Sequence, residues 1–121
     1  VDAVDIKTDF DAIQTVVTNF LSNALNHVEG DRLIRISAKP ADAGKIRIEI
    51  FNSGKPIPSE SIERIWESFY KIDKARTRAY GGQGLGLSIV RTILTNLGCP
   101  FGVENRADGV AFHFDLPIVD D

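Results

Sequence analysis

Gly81-Gly82-Gln83-Gly84-Leu85-Gly86-Leu87 is the stretch of this sequence that decides its fold. Four glycines fall within six residues, and an amphipathic helical pattern over residues 85–97 follows directly. Glycine lets the backbone approach a ligand closely, and the start of a helix offers unpaired N–H groups at the positive end of its dipole. The combination predicts an anion site, and phosphate is the usual anion.

Three familiar glycine-rich phosphate loops do not fit this context. A dinucleotide fingerprint directly follows a strand, whereas a basic, irregular segment over residues 71–82 precedes these glycines. A P-loop needs Gly-Lys-Ser/Thr after its spacer, and the sequence has none. A protein-kinase glycine loop needs a downstream lysine strand and an Asp-Phe-Gly motif, which are also absent. The glycines therefore indicate another class of phosphate site.

The first predicted helix has an uncharged polar face. The helix is expected to begin after a cap at Asp9 or Asp11 and to end near Val28, and residues 12–28 contain no Asp, Glu, Lys or Arg. Amides and hydroxyls share the face opposite the apolar one, at Thr15, Asn19, Ser22, Asn23 and Asn26. A solvated face normally carries charge. Three explanations of this face are open: a chance bias in composition, burial against another domain, or the lining of a site where amide oxygens ligate Mg²⁺. The glycine loop favours the last.

The predicted elements follow the order helix, two strands, short helix, lid, helix, two strands, where the lid is the basic segment over residues 71–82. A short helix is expected to begin at Ser59 or Ser61 and to end near Phe69. The predicted strands are residues 33–38, 45–51, 101–105 and 110–116. This order favours an α+β two-layer sandwich, in which helices pack on one face of a mixed, mostly antiparallel sheet.

Composition excludes several classes of protein. The 121 residues suffice for a single domain over 1–121, and the formal net charge of −3 argues against a general nucleic-acid binder. The single cysteine, Cys99, rules out an intrachain disulfide and a cysteine-rich metal site, and we expect it in the core. There is no signal-peptide pattern and no apolar run that could span a bilayer, so a soluble domain in a reducing compartment is expected.

Four motifs, taken in order, carry a resemblance to a known family. Residues 19–25 resemble the asparagine box of sensor histidine kinases, and residues 52–58 resemble their first glycine box. Residues 66–71 resemble the phenylalanine box, and residues 82–90 the second glycine box. The chain thus resembles the catalytic, ATP-binding domain of these kinases over nearly its whole length. The resemblance implies the Bergerat-type fold that type II topoisomerases and a heat-shock chaperone family share.

The resemblance implies a site for ATP and Mg²⁺. Asn23 is implied as the Mg²⁺ ligand, with Asn19 one turn earlier supporting it or touching phosphate. Gln83 is implied either as a further metal ligand or as a backbone-only contact. Asn52 stands where the family usually has an Asp that accepts a hydrogen bond from the adenine amino group, and an amide oxygen can still accept one without charge.

The same resemblance implies further nucleotide contacts. Lys71 and Arg76 would reach phosphate from the lid, whereas Phe69 and Tyr70 would anchor that lid to the core. Asn26 stands where the family commonly has a basic residue. The remaining implied members of the site are Gly54, Ile57, Gly82, Gly84, Leu85, Gly86 and Leu87.

The activity implied by the resemblance is presentation of the γ-phosphate of Mg-ATP to a histidine on a separate dimerisation domain. Neither His27 nor His113 has the context of a phosphoacceptor, so the chain is expected to be the catalytic domain of a larger sensor kinase. Its implied partners are the dimerisation domain and, through it, a response regulator, with no nucleic acid and no direct membrane contact. The domain is expected in the cytoplasm, as part of a membrane-bound sensor.

Two alternatives remain open at this point. One is a serine kinase or an ATPase relative of the same superfamily, although the ATPases usually have a glutamate general base where Asn19 stands. The other is a degenerate nucleotide-binding or interaction module without catalysis. Asn26, Asn52 and Pro56 depart from the family pattern and keep this second alternative open.

Overall fold

A computed structural model describes residues 5–6, 8–68, 70 and 86–119. Its helices and strands are α1 (Phe10–His27), β1 (Ile34–Ala41), β2 (Lys45–Ser53), α2 (Gly86–Leu97), β3 (Phe101–Arg106) and β4 (Gly109–Pro117). Short 3₁₀ turns lie at Asp42–Gly44, Ser59–Ser61 and Arg64–Trp66. Within the described part of the chain, no helix combines the length and apolar character that crossing a bilayer requires.

The strands form one sheet in the order β1-β2-β4-β3, and each pairing between them is antiparallel. The central pairing joins β2 to β4 along their length, from Lys45 opposite Pro117 to Ser53 opposite Gly109. Both helices bury apolar side chains in the core on one face of this sheet. The predicted α+β two-layer sandwich is therefore confirmed.

Helix α1 begins and ends close to the predicted residues. The Asp9 carboxylate caps its start by accepting a hydrogen bond from the Ala12 N–H at 3.0 Å. Val16, Phe20 and Ala24 recur at a spacing of four and are completely buried. This spacing places them on the core side of the helix and leaves the amides on the other side.

An aromatic cluster fills the centre of the core. The Phe20 ring lies 5.3 Å from the Phe112 ring and 5.9 Å from the Phe114 ring, both on β4. Trp66 contacts Phe20 edge-on at 6.5 Å and Phe101 at 5.0 Å. These contacts join α1 and the 3₁₀ turn at Arg64–Trp66 to the sheet, so the position of α1 is fixed by packing.

Two predicted elements differ from the observed ones. Strand β1 continues through Ala41, which shortens the predicted turn before β2. The predicted short helix from Ser59 or Ser61 is instead two 3₁₀ turns, the second of which buries Ile65 and Trp66. A short isolated helix is marginal in water, and burial of these two side chains outweighs the local helical preference.

Arg32 adopts a left-handed backbone conformation, with φ at 56°. This conformation costs a non-glycine residue about 1–2 kcal/mol, whereas glycine adopts it freely. We expect Arg32→Gly to raise the free energy of unfolding by about 0.5–1 kcal/mol after the greater chain entropy of glycine is counted. Urea denaturation measures the change. The matched control is Arg35→Gly within β1, which should lower the free energy of unfolding; a lower value for Arg32→Gly as well would contradict the expectation.

Candidate functional site

The polar face of α1 meets the first residue of α2. A Cβ placed on Gly86 would lie only 3.0 Å from Oδ1 of Asn19, so glycine permits this close approach. The Asn19 Nδ2 group donates to the backbone oxygen of Thr15 at 2.8 Å, which directs Oδ1 away from the backbone of α1. An amide oxygen is thereby held beside the N-terminus of a helix, where N–H groups lack partners within that helix.

Asn23 and Asn26 continue this face toward the end of α1. Both side chains are half-buried, as is Asn19, so all three amides are partly withdrawn from water. Asn19 and Asn23 lie one helical turn apart and offer uncharged oxygen donors. Oxygen donors beside a phosphate-binding helix start are the chemistry that Mg²⁺ prefers in nucleotide sites. The residues present therefore fit a Mg²⁺–phosphate group.

Asn52 lies near the end of β2, between Ile34 on β1 and Val110 on β4. It is 3% exposed, and its Nδ2 group donates to the backbone oxygen of Ser53 at 3.2 Å. This bond leaves Oδ1 as the acceptor that the side chain can present to a ligand. A buried neutral acceptor is therefore fixed at the end of the sheet where α1 also ends.

Ser53 joins the end of β2 to the loop that follows α1. Its hydroxyl donates to the Glu29 carbonyl at 2.7 Å and accepts from the Leu33 N–H at 2.9 Å. Its backbone N–H donates to the Leu33 oxygen, and its carbonyl accepts from the Glu29 N–H, both at 2.9 Å. No local pattern in the sequence marks Ser53 as part of the site, because its partners are 20 and 24 positions away.

Gly54 brings the first glycine box against the end of α1. Its φ is 142°, and a Cβ at this position would lie 3.0 Å from the His27 carbonyl oxygen and 3.4 Å from the Glu29 nitrogen. A side chain would therefore be strained and crowded. The end of α1 and the first glycine box are thus in direct contact.

The β3–β4 hairpin holds the loop after Gly54. The Gly54 N–H donates to the Asp108 carbonyl at 3.1 Å. The Ile57 N–H donates to Oδ1 of Asn105 at 2.8 Å, and Nδ2 of Asn105 donates to the Ile57 carbonyl at 2.9 Å. Ile57 is a predicted member of the site, whereas Asn105 is not, because it lies 48 positions away in the sequence.

Tyr70 is anchored by the segment that precedes it. Its hydroxyl lies 2.7 Å from the Ser61 hydroxyl, and the Arg64 guanidinium lies 4.6 Å from its ring centre. The partly buried ring also packs against the core. These contacts fix Tyr70 to the preceding segment and to the core. Its predicted function as an anchor of the lid stays a prediction, because residues 71–82 lie outside the described part of the chain.

Several predicted site residues lie outside the described part of the chain. They are Phe69, Lys71, Arg76, Gly82, Gln83, Gly84 and Leu85. Of the second glycine box, Gly86 begins α2 beside Asn19, and Leu87 packs partly buried against the core. The structure therefore brings the asparagine box into contact with the second glycine box at Gly86, and the end of α1 into contact with the first glycine box at Gly54.

The opposite face of the sheet carries ion pairs. Both oxygens of Asp115 bind Arg47, at 2.8 and 3.1 Å, and this guanidinium holds the pKa of the Asp115 carboxyl below its ordinary value. Arg106 binds Glu49 at 2.8 Å. Asp115 lies on the outer face of the sheet, but the pairing leaves it only 5% exposed. His113 shares this face, where burial lowers its pKa, so it lies away from the amide face of α1.

Residues 8–120 match a protein family described as histidine kinase-, DNA gyrase B-, and HSP90-like ATPase. The chain is 35% identical over 112 residues to the sensor protein VanSB of Enterococcus faecalis, which covers 93% of this chain and 25% of VanSB. It thus spans about a quarter of the length of that relative. The solved structures with a similar fold include those of two histidine kinases.

One of them is ThkA. Its catalytic domain has a TM-score of 0.78 at 34% identity, over 93% of this chain and 70% of that chain. ThkA in complex with the response regulator protein TrrA also has a TM-score of 0.78, at 31% identity, over 98% of this chain and 32% of that chain. The other is full-length ShkA in complex with AMPPNP, which has a TM-score of 0.82 at 26% identity, over 98% of this chain and 24% of that chain.

Proposed function

Because the chain belongs to the histidine kinase-, DNA gyrase B- and HSP90-like ATPase family, as a histidine kinase catalytic domain, we propose that it binds Mg-ATP. We propose further that it presents the γ-phosphate to a histidine on a separate dimerisation domain of a sensor kinase. The contact of Asn19 with Gly86 carries this proposal. This contact places amide oxygens, which suit a bound cation, beside helix N–H groups, which suit a bound phosphate.

Phosphoryl transfer requires the protein to position the reacting groups and to neutralise charge on the phosphates. Asn23 would hold Mg²⁺, with Asn19 and Gln83 completing its surroundings, and the ion supplies charge neutralisation when bound. Lys71 and Arg76 would add positive charge from the lid. This division of roles needs no nucleophile from the chain, which agrees with the position of His113 on the far face of the sheet.

Asn52 would recognise adenine. Its Nδ2 group is already bound to the Ser53 carbonyl, so Oδ1 is the group that would accept a hydrogen bond from the exocyclic amine. A neutral acceptor forms a weaker bond than a carboxylate does. Adenine would therefore be preferred over guanine by one uncharged hydrogen bond.

The relatives support the proposed partners. VanSB is a sensor protein, and ThkA was solved with a response regulator protein. We propose that the present chain acts on its own dimerisation domain, which then passes the phosphoryl group to a response regulator. The domain would work at the cytoplasmic side of a membrane-bound sensor, without nucleic acid and without touching the membrane.

Mg²⁺-dependent ATP binding tests the nucleotide site. Asn23→Ala removes the proposed metal ligand, and we expect it to weaken Mg-ATP binding at least about tenfold while leaving the metal-free affinity unchanged. Isothermal titration calorimetry with Mg²⁺ and with EDTA separates the two affinities. Gln14→Ala is the matched control, because Gln14 is exposed on the same helix outside the predicted site. An ATP affinity that changes neither on removal of Mg²⁺ nor in Asn23→Ala would favour a degenerate nucleotide-binding module.

Kinase activity is tested by transfer in trans. The domain and labelled ATP are mixed with the helical hairpin of the parent kinase, and acid-labile label on a hairpin histidine is the expected product. The domain alone should show little or no label, because neither histidine in this chain has the context of a phosphoacceptor. Intact Mg-ATP binding without a labelled histidine would count against kinase activity, and label on serine would favour a serine kinase.

A further inference from the structure

The side chain of Asn105 pairs with Ile57 as a neighbouring strand would. Its Oδ1 accepts from the Ile57 N–H at 2.8 Å, and its Nδ2 donates to the Ile57 carbonyl at 2.9 Å. Two roughly parallel bonds to one residue fix both the place and the orientation of that peptide. Asn105 therefore acts on the backbone of the loop, and any residue at position 57 other than proline could be held in this way.

The hairpin holds the same loop at a second point. The Gly54 N–H donates to the Asp108 carbonyl at 3.1 Å, so the loop is bound at both ends, and Lys55 and Pro56 between them are exposed. At the end of the hairpin Gly109 pairs with Ser53, in register with the strand that carries Asn52. The end of the β3–β4 hairpin is thus a support for the segment that begins with Asn52.

We propose that Asn105 is a positioning residue for the base of the nucleotide. The proposal rests on the proposed function, since Asn52 and the loop up to Ile57 form the side of the site assigned to adenine. Asn105 itself is exposed, and its two bonds replace bonds to water, so they contribute little to the stability of the whole domain. Their effect is local: they keep the loop in its bound conformation before the ligand arrives.

The expected effect of Asn105→Ala is selective. ATP affinity should fall about 5- to 20-fold, because the ligand must then order a loop that the wild type holds in place. The affinity for Mg-tripolyphosphate, which has no base, should stay within twofold of wild type. The melting temperature should change little, and hydrogen exchange at the Ile57 amide should accelerate.

Two further variants sharpen the test. Asn105→Asp keeps the acceptor for the Ile57 N–H but sets a carboxylate oxygen against the Ile57 carbonyl, so it should also weaken ATP selectively and free the Ile57 amide. Because it keeps the shape of asparagine, it also answers the question if Asn105→Ala folds poorly. Asn96→Ala is the matched control, since Asn96 is exposed on α2. It should behave as wild type in every measurement.

The outcomes separate this inference from the proposed function. A wild-type domain that binds ATP, with an Asn105→Ala variant that binds it equally well, would overturn the role of Asn105 and leave the proposed function intact. Equal losses for ATP and for Mg-tripolyphosphate would also overturn that role, since they indicate general damage to the site. A wild-type domain that does not bind Mg-ATP would overturn the proposed function itself.

Discussion

Gly109→Ala should lower the free energy of unfolding by more than about 3 kcal/mol and abolish nucleotide binding. A Cβ on Gly109 would lie 2.7 Å from the Phe51 ring and 2.9 Å from the carbonyl carbon of Asn52. These distances are shorter than any ordinary carbon–carbon contact. The carbonyl cannot retreat, because β2 is paired on both sides, so β4 would have to separate from it beside Asn52.

Gly44→Ala is the control for this substitution. Gly44 has φ at 71°, but nothing lies within 4 Å of a Cβ placed there, so alanine would meet backbone strain without a collision. That strain costs about 1–2 kcal/mol. Urea denaturation and Mg-ATP binding, measured on both variants, compare the two effects. Equal losses of stability, or normal ATP binding by Gly109→Ala, would mean that the β2–β4 contact tolerates a side chain.

The second large effect is expected for Phe20→Ala. The Phe20 side chain is completely buried and contacts the rings of Trp66, Phe112 and Phe114. Replacing a buried phenylalanine by alanine lowers the free energy of unfolding by about 3–5 kcal/mol, from lost burial and from the cavity that remains. The melting temperature should fall by roughly 10–20 °C. Because Asn19 precedes Phe20 directly, Mg-ATP binding should also weaken.

Phe10→Ala provides the matched control, since Phe10 belongs to the same helix but is 74% exposed. Its effect should stay within about 0.5 kcal/mol, as for most exposed sites. Thermal and urea unfolding of the two variants give the comparison. A loss below about 1 kcal/mol for Phe20→Ala would show that the aromatic cluster can close over the missing ring.

The parts of the fold that depend on local spacing could be predicted from the sequence. The cap at Asp9, the apolar recurrence at Phe20 and Ala24, and the alternating isoleucines of β2 are contained within single elements. Helical and strand periods translate such patterns directly into buried faces. The uncharged face of α1 likewise pointed to the amides that now lie beside Gly86.

Features that depend on distant partners could not be predicted. Asn105 is exposed and polar, and nothing near it in the sequence indicates that it binds Ile57. The burial of Asp115 could not be predicted either, because its partner Arg47 is 68 positions away. The prediction of a helix after Ser59 was wrong for a related reason, since burial of Trp66 against distant rings determines the conformation of that segment.

The pairing of Ser53 with Gly109 has a kinetic consequence. It closes a stretch of chain that contains residues 54–108, and this stretch carries most of the residues assigned to the nucleotide. Pairing across so long a separation is slow, because closing the loop costs conformational entropy before the new contacts can offset that cost. All four boxes have been synthesised by residue 90, yet the site can form only after β4 has been synthesised and has paired with β2. A chain emerging from the ribosome would therefore carry every motif well before it could bind a nucleotide.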